Sequence, residues 1–221
     1  MERQVQPIPE KRIIRINNLS NHKDTIFTIG HSNYEIDKFL GLLKQHCIEV
    51  VADVRSSPYS QYSPQFNKDI LKKALNNHNI KYLFLGAELG ARPDDPACYI
   101  YGRVSFDKLR KSAAFQQGIE RLLIGIKDCT IAIMCSEKEP ADCHRTVLVS
   151  RVLAESGVSV QHILESGDTM DQTEIENQLM KKFKFEPDFF TGKEVLIQDA
   201  YKKQEEKISY NPHTEGANAY E

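Results

Sequence analysis

Short apolar stretches alternate with longer amphipathic ones along most of this 221-residue chain. Five stretches rich in β-branched residues are typical of buried strands: 25–29, 49–54, 81–85, 130–135 and 158–164. Between them apolar residues recur at helical spacing, most clearly before the fourth stretch, at Phe115, Ile119, Leu122, Leu123 and Ile126. We therefore predict strands that alternate with helices.

Alternating strands and helices connect by right-handed crossovers into a mostly parallel sheet. Because the apolar stretches are nearly continuous, helices should cover both faces of that sheet. The predicted fold class is α/β, a Rossmann-like three-layer sandwich with about five strands. Ser105 and Ser112 are predicted helix N-caps. A helix should run from Pro140, a typical first-turn residue, to a stop at Gly157, and another should cover 173–185.

One domain is expected. Residues 1–24 are interpreted as a loosely ordered N-terminal leader, residues 25–200 as the single α/β domain, and residues 201–221 as a disordered C-terminal tail. The tail prediction depends on a Lys- and Glu-rich stretch followed by Asn, Pro and Gly residues, a composition that buries little apolar surface.

The net charge and the cysteine content argue against two classes of protein, general nucleic-acid binders and secreted disulfide scaffolds. The formal net charge of −2 argues against a general nucleic-acid binder, which would carry a basic excess. Five cysteines, an odd number without framework spacing, fit reduced thiols better than a secreted disulfide scaffold. No apolar run reaches the roughly 20 residues that span a bilayer, and the N-terminus lacks the apolar core of a secretion signal. A cytoplasmic protein without membrane partners is expected.

Polar side chains follow four of the predicted strands. They are His31 and Ser32 after the first strand, Asp53 and Arg55 at the end of the second, Glu88 and Arg92 after the third, and Cys135, Glu137, Cys143, His144 and Arg145 after the fourth. Ligands bind outside the carboxyl ends of the strands in open α/β sheets. If the sheet is parallel, these groups converge at one edge and form the functional site.

Six of these residues are predicted to be catalytic: His31, Asp53, Cys135, Glu137, Cys143 and His144, with Cys143 or Cys135 as the nucleophile or metal ligand. Cys143 and His144 would sit in the first turn of the helix after Pro140, where free N–H groups favour anions and lower a thiol pKa. His31 is a candidate acid or base because its ordinary pKa lies near neutrality. Asp53 is either a base or the partner of Arg55 in a structural ion pair.

Guanidinium groups and tyrosines suggest what the site binds. Arg55, Arg92 and Arg145 are predicted to bind a carboxylate or phosphate. Ser32 and Glu88 are predicted to contact the substrate beside them. Tyr99, on the same loops, is predicted to stack on a planar base or ring. The alternative is an ordinary polar loop, with Arg145 in a salt bridge.

The sequence leaves open whether the two cysteines after the fourth strand bind a metal ion or form a disulfide. Cys135 and Cys143 could share a zinc or iron ion with His31 and Asp53, because zinc accepts thiolate, imidazole and carboxylate ligands. The spacing matches no closed zinc motif, and on a helix Cys143 and His144 would point about 100° apart. A redox disulfide between the two cysteines is the alternative.

Several motifs together resemble the bacterial and archaeal family known as domain of unknown function 488. They are Thr28 to Asn33, Asp53 to Pro58, Asn67 after Pro64 to Phe66, Leu85 to Gly90, Arg92-Pro93, Cys98-Tyr99 and Cys135 to Arg145, within about 25–182. Ala91 departs from the expected second glycine. The resemblance implies an α/β domain and points to His31, Asp53, Arg55, Glu88, Arg92, Cys135, Glu137, Cys143, His144 and Arg145. It implies no settled reaction.

Three functions follow from these observations. The first is an enzyme of hydrolase or transferase type that acts on a small anionic ligand, nucleotide-like or phosphate-bearing. The second is a nucleic-acid-associated, DNA-repair-like module that reads an exposed base. The third is a thiol redox or metal sensor built on Cys135 and Cys143.

Overall fold

The computed structural model describes residues 25–187 and 191–212. The strands are β1 Thr25–Gly30, β2 Val50–Asp53, β3 Lys81–Phe84, β4 Tyr99–Ile100, β5 Arg103–Val104, β6 Ile131–Cys135, β7 Ser159–Ile163 and β8 Thr169–Asp171. The α-helices are α1 Ile36–Gln45, α2 Lys68–Asn76, α3 Gly86–Leu89, α4 Phe106–Lys111, α5 Ala113–Gly125, α6 Arg151–Glu155, α7 Gln172–Lys182 and α8 Lys193–Ile208.

The main sheet has six strands in the order β3-β2-β6-β1-β7-β8. The first five are parallel to one another, and β8 runs antiparallel to β7 at the edge. β4 and β5 form a separate antiparallel ribbon. The predicted mostly parallel α/β fold is confirmed, with β8 added to the five predicted strands.

Helices cover both faces of the sheet, as the continuous apolar strands predicted. Val51 belongs to the apolar cluster that contains Phe39 of α1, on one face. Its neighbour Ala52 belongs to the opposite cluster, with Phe115 and Leu122 of α5. Successive strand residues therefore bury their side chains in different layers, which is the arrangement of a three-layer sandwich.

Both predicted serine caps are present. The Ser105 hydroxyl accepts a hydrogen bond from Lys108 N at 3.4 Å, and the Ser112 hydroxyl accepts one from Phe115 N at 3.2 Å. These bonds satisfy N–H groups that the first helical turn leaves unpaired, so α4 and α5 begin where the sequence predicts.

The segment after β6 differs from the single helix predicted from Pro140. A 3-10 turn, Pro140–Asp142, is followed by Cys143 with an extended backbone (φ −124°, ψ 140°). A π-helix, Arg145–Ser150, then leads into α6. Cys143 therefore precedes the helix instead of occupying its first turn, and the predicted 100° divergence from His144 is wrong. Gly157, with φ +87°, ends the segment as predicted.

The C-terminal boundary lies further along the chain than predicted. Residues 201–208 were assigned to the tail, but they form the second half of α8, where Tyr201 and Gln204 are buried. Gln204 Nε2 donates to Ala141 O at 2.8 Å, which anchors α8 beside the loop after β6. The predicted leader 1–24 and the tail from 213 onward lie outside the described residues.

Within the described ranges, no helix combines the length and the apolar character needed to cross a membrane.

Candidate active site

Most of the polar residues predicted to converge lie at the carboxyl ends of β1, β2 and β6. These three strands are neighbours, with Gly30 of β1 beside Cys135 of β6 and Asp53 of β2 beside Met134. Beyond the ladder, His31 N still donates to Cys135 O at 2.9 Å. The parallel pairing thus carries each exit loop to the same edge of the sheet.

Gly30 allows the loop after β6 to fold over the end of β1. A Cβ atom at this position would lie 1.9 Å from Glu137 O and 3.1 Å from Arg145 Nη2. Any side chain would therefore push away the loop that carries Glu137, so the absence of a Cβ is a requirement of the site.

Four side chains form what we call the Cys–His cluster: Cys135, Glu137, Cys143 and His144. Their ligand-type atoms all lie within 4.8 Å of one another. Cys143 Sγ donates to Glu137 Oε2 at 2.9 Å, and Cys135 Sγ lies 3.5 Å from His144 Nδ1. Both thiols are almost fully buried and free, at 2% and 1% exposure, whereas Glu137 belongs to an exposed loop.

The backbone fixes the orientation of the His144 ring. His144 Nε2 donates to Val54 O at 3.1 Å, just beyond the end of β2. In the neutral ring this bond leaves Nδ1 without a proton, so its lone pair points toward Cys135 and Cys143.

The pKa values of the two thiols in the cluster shift in opposite directions. Burial raises the pKa of the Cys135 thiol well above its ordinary range. Burial also opposes ionisation of Cys143, but the hydrogen bond from Cys135, the Arg145 guanidinium and the His144 ring together lower the pKa of Cys143 well below its ordinary value. Burial and the nearby Cys143 raise the pKa of Glu137. Of the two thiols, Cys143 is therefore the more readily ionised.

Arg145 lies behind the cluster and supports the loop. Its side chain is fully buried, and it donates to Glu137 O at 2.6 Å, to Lys138 O at 3.2 Å and to Thr28 Oγ1 at 3.4 Å. These contacts occupy the guanidinium with carbonyl and hydroxyl oxygens of the protein itself. Its position suits holding Glu137 in place and lending positive charge to Cys143.

Asp53 and Arg55 form a buried ion pair. The carboxylate accepts from Arg55 Nε at 2.9 Å and Nη2 at 2.6 Å, and it also accepts from Tyr82 Oη at 2.7 Å. Arg55 Nη2 further donates to Phe66 O at 2.9 Å. This is the structural ion pair that the sequence left open as one of two alternatives for Asp53.

His31 completes the group around Arg55. Its Nε2 accepts from Arg55 Nη1 at 3.1 Å, its Nδ1 donates to Ser32 O at 2.7 Å, and its ring stacks on Phe66 at 4.2 Å between centroids. Burial, followed by the positive charge of Arg55, lowers the pKa of His31 to about 4. The ring is therefore neutral near pH 7, and both nitrogens are engaged.

A cavity of about 400 Å³ opens beside the cluster. Its walls come from the loop after β2, the loop after α3, the Cys–His cluster and the end of α8. The residues that line it are Arg55, Ser56, Ser57, Tyr59, Ala91, Arg92, Cys135, Ser136, Glu137, Asp142, His144, Ile208 and Tyr210. Most of these residues are polar, which fits a charged or strongly hydrogen-bonding ligand.

Two arginines face this cavity in different ways. Arg92 is exposed, and its guanidinium lies over the Tyr210 ring at 4.3 Å from the centroid. Arg55 has four of its five N–H groups bonded, to Asp53, Phe66 and His31, which leaves one Nη1 proton for a ligand.

Three predicted ligand-binding residues lie elsewhere in the described part of the chain. Glu88 forms an ion pair with Arg121 on α5. Tyr99 lies on the β4–β5 ribbon and donates to Pro93 O at 2.9 Å. Ser32 donates to its neighbour Asn33 at 3.3 Å.

Several residues of the site carry no signal that periodicity could detect. Tyr82 reaches Asp53 from β3 because it extends across the sheet edge, and Ser136 lines the cavity between two predicted residues. Ile208 and Tyr210 reach the cavity through the packing of α8, a helix that the sequence analysis does not predict. Of these residues, only Ser136 lies within the motif from Cys135 to Arg145.

The Cys–His cluster is the group of described residues best suited to hold a metal ion. It replaces the set predicted from the sequence: Cys135 and Cys143 remain, and Glu137 and His144 stand in place of Asp53 and His31. The carboxylate of Asp53 is already neutralised by Arg55, so it has little to offer a cation.

Comparison with known proteins gives one match. The model of the family described as Domain of unknown function DUF488 matches residues 35–152, more than half of the chain. This range contains the Cys–His cluster with Arg55 and Arg92, whereas His31 precedes it and Tyr210 follows it. No curated protein and no solved structure matches the chain. The resemblance predicted from the motifs is confirmed over this range.

Proposed function

This chain belongs to the DUF488 family, and we propose that it is an enzyme of hydrolase or transferase type that acts on a small anionic substrate. The observation that carries the proposal is the shared cavity: Cys135, Glu137 and His144 of the Cys–His cluster line the same space of about 400 Å³ as two arginines, Arg55 and Arg92. Reactive groups and anion-binding groups in one polar cleft are the usual composition of an active site.

The substrate is held by its negative charge. Arg92 is an exposed residue on the cavity wall, and Arg55 contributes one Nη1 proton from a guanidinium that is ion-paired with Asp53. Guanidinium groups bind phosphate and carboxylate oxygens by charge-assisted hydrogen bonds. Tyr59 and Tyr210 also line the cavity, so a nucleotide-like substrate would find aromatic rings for its base.

Proton transfer falls to Glu137. It lines the cavity, it reaches Cys143 Sγ at 2.9 Å, and its carboxylate can accept a proton from an attacking water or hydroxyl group. Asp53, His31 and Arg145 then act as positioning residues, because their contacts hold Arg55 and the Glu137 loop. The catalytic roles predicted for Asp53 and His31 become secondary in this proposal.

The test is hydrolysis of two phosphate probes, p-nitrophenyl phosphate and bis(p-nitrophenyl) phosphate. Removing a charged hydrogen-bond donor costs about 1.5–3 kcal/mol, so Arg92→Ala should lower kcat/KM roughly 10- to 100-fold. Glu137→Gln should lower kcat by about 100-fold or more, because it removes the proton acceptor. Arg121→Ala, which removes an arginine outside the cavity, is the matched control and should leave both constants unchanged.

Two results would contradict this proposal. One is a folded wild-type protein that neither hydrolyses the probes nor binds AMP or inorganic phosphate in calorimetry. The other is an Arg92→Ala variant with wild-type kcat/KM.

A second candidate rests on the exposed tyrosines. Tyr59 and Tyr62, on the loop after β2, are 57% and 86% exposed, which suits stacking on an unpaired nucleic-acid base. Binding of a short single-stranded oligonucleotide should then weaken steeply with salt and fall in a Tyr59→Ala variant. Absence of binding at low salt would remove this candidate.

A further inference from the structure

We infer that Cys135, Cys143 and His144 bind one zinc ion, with its fourth position directed toward Glu137 and the cavity. The inference deepens the proposed function, since the ion would lower the pKa of a bound water molecule and Glu137 is placed to accept its proton. It rests on the proposed function for the role of the ion, whereas the binding itself is measurable without a substrate.

The distances in the cluster are close to those of a zinc site. Zinc bonds of about 2.3 Å to sulfur and 2.0 Å to nitrogen place tetrahedral ligand atoms roughly 3.3–3.8 Å apart. Cys135 Sγ and His144 Nδ1 are already separated by 3.5 Å, and all four ligand-type atoms lie within 4.8 Å. Small side-chain rotations therefore suffice to close the site around an ion.

The orientation of His144 is that of a metal-binding imidazole. Histidines that bind metals almost always donate their other ring nitrogen to a carbonyl or carboxylate, which fixes the ring. His144 Nε2 donates to Val54 O at 3.1 Å, so Nδ1 faces the two thiols. The 3-10 turn before Cys143 and the extended backbone of that residue bring its sulfur to the same point.

Burial argues against the simplest alternative, Cys143 as a nucleophile. Cys143 is 1% exposed, and within the described chain the cavity is lined by Cys135, Glu137 and His144 but not by Cys143. A nucleophile must be reached by its substrate, whereas a metal ligand need only reach the ion.

The ligand types select the metal and its role. Two thiolates and an imidazole suit zinc or another soft transition metal rather than magnesium or calcium. Three protein ligands with an open fourth position are the composition of catalytic zinc sites, whereas structural sites are closed by four. Glu137 is therefore assigned to the open side of the ion as the neighbouring base.

The experiment is metal analysis of untagged, reduced protein purified without chelators. We expect about one zinc ion per chain, retained in Cys98→Ser, the control at another buried thiol, and in Glu137→Gln. Cys135→Ser, Cys143→Ser and His144→Ala should each lose the zinc. Replacement by cobalt(II) should give a thiolate-to-cobalt charge-transfer band that weakens in either cysteine variant.

A second measurement on the wild type covers the case of variants that fail to fold. After chelation, added zinc should slow alkylation of Cys135 and Cys143 by iodoacetamide at least tenfold, while exposed Cys47 reacts at an unchanged rate. A protein that holds no zinc and shows no protection overturns the inference. So does zinc retained by Cys143→Ser, or a Cys135–Cys143 disulfide in protein kept under reductant.

The outcomes separate this inference from the proposed function. If the zinc-loaded protein is inactive toward both nitrophenyl probes and binds no anion, the proposed enzyme function is wrong and the zinc site is supported. A metal-free chain that hydrolyses the probes in an Arg92-dependent way would do the reverse.

Discussion

His162 should make the stability of this protein strongly dependent on acid pH. It lies fully buried on β7, where its Nδ1 accepts from Thr28 Oγ1 and its Nε2 donates to Gln172 Oε1, both at 2.8 Å. Burial lowers the pKa of His162 from 6.5 to about 4. The folded protein therefore holds this ring neutral at a pH where the unfolded chain would protonate it.

The sign and the size follow from proton linkage. Above pH 6.5 the ring is neutral in both states, and the full stability is present. As the pH falls below 6.5, His162 becomes protonated in the unfolded chain, whereas in the folded chain its ring stays neutral down to about pH 4. The free energy of unfolding should thus fall by about 2 kcal/mol at pH 5 and about 3 kcal/mol at pH 4 from His162 alone.

The assay is equilibrium urea unfolding of wild type and His162→Gln at pH 7.5 and pH 5.0. Glutamine has no proton to gain, so the variant should lose about 2 kcal/mol less stability between the two pH values than the wild type. A constant loss of packing in the variant cancels in this comparison. His78→Gln, at an exposed position, is the control and should follow the wild-type pH dependence. Equal losses in wild type and His162→Gln would refute the reasoning.

Three further predictions concern stability, each measured by urea unfolding at pH 7.5. Phe66→Ala empties a fully buried position and should cost about 3–5 kcal/mol; a loss below about 1 kcal/mol would mean that the cavity collapses. Tyr82→Phe removes the hydroxyl that donates to Asp53 and should cost about 1 kcal/mol, and an unchanged midpoint would contradict that bond. Asp171→Ala breaks the capping box with Glu174 at the start of α7 and should cost about 1 kcal/mol, with Asp171→Asn or Ser losing less.

The sheet was predictable because its central strands are buried on both faces. Every residue of Val50–Asp53 is buried, so the stretch had to be apolar apart from its last position, and periodicity detects such runs. The edge strand Thr169–Asp171 is not predicted, because three partly exposed residues form no continuous apolar run. The sequence analysis does not predict α8 for a related reason: Tyr201 and Gln204 lie among Lys and Glu residues, and contacts distant in sequence, to Gln172 and to Ala141 O, hold them buried.

The location of the site was predictable, and the direction of its side chains was not. Parallel strands bring their exits together whatever residues they carry, so Asp53, Cys135 and their neighbours had to meet. Which way Arg145 points depends on two loop carbonyls that only the folded chain brings near. The extended backbone at Cys143 likewise arises from a turn that ends early, so helical spacing misplaced its thiol.

The π-helix Arg145–Ser150 gives the chain an uncommon response to the loss of one residue. A π-turn holds one residue more than an α-turn, so a single deletion inside the segment can return it to ordinary α-helical geometry. α6 and β7 would keep their places, while Cys143 and His144 would rotate about 100° relative to them. A chain that lacks one residue of this segment would therefore keep the same fold but lose the Cys–His cluster. Among homologues, a one-residue gap in this segment would indicate a protein that keeps the α/β domain but lacks the Cys–His cluster.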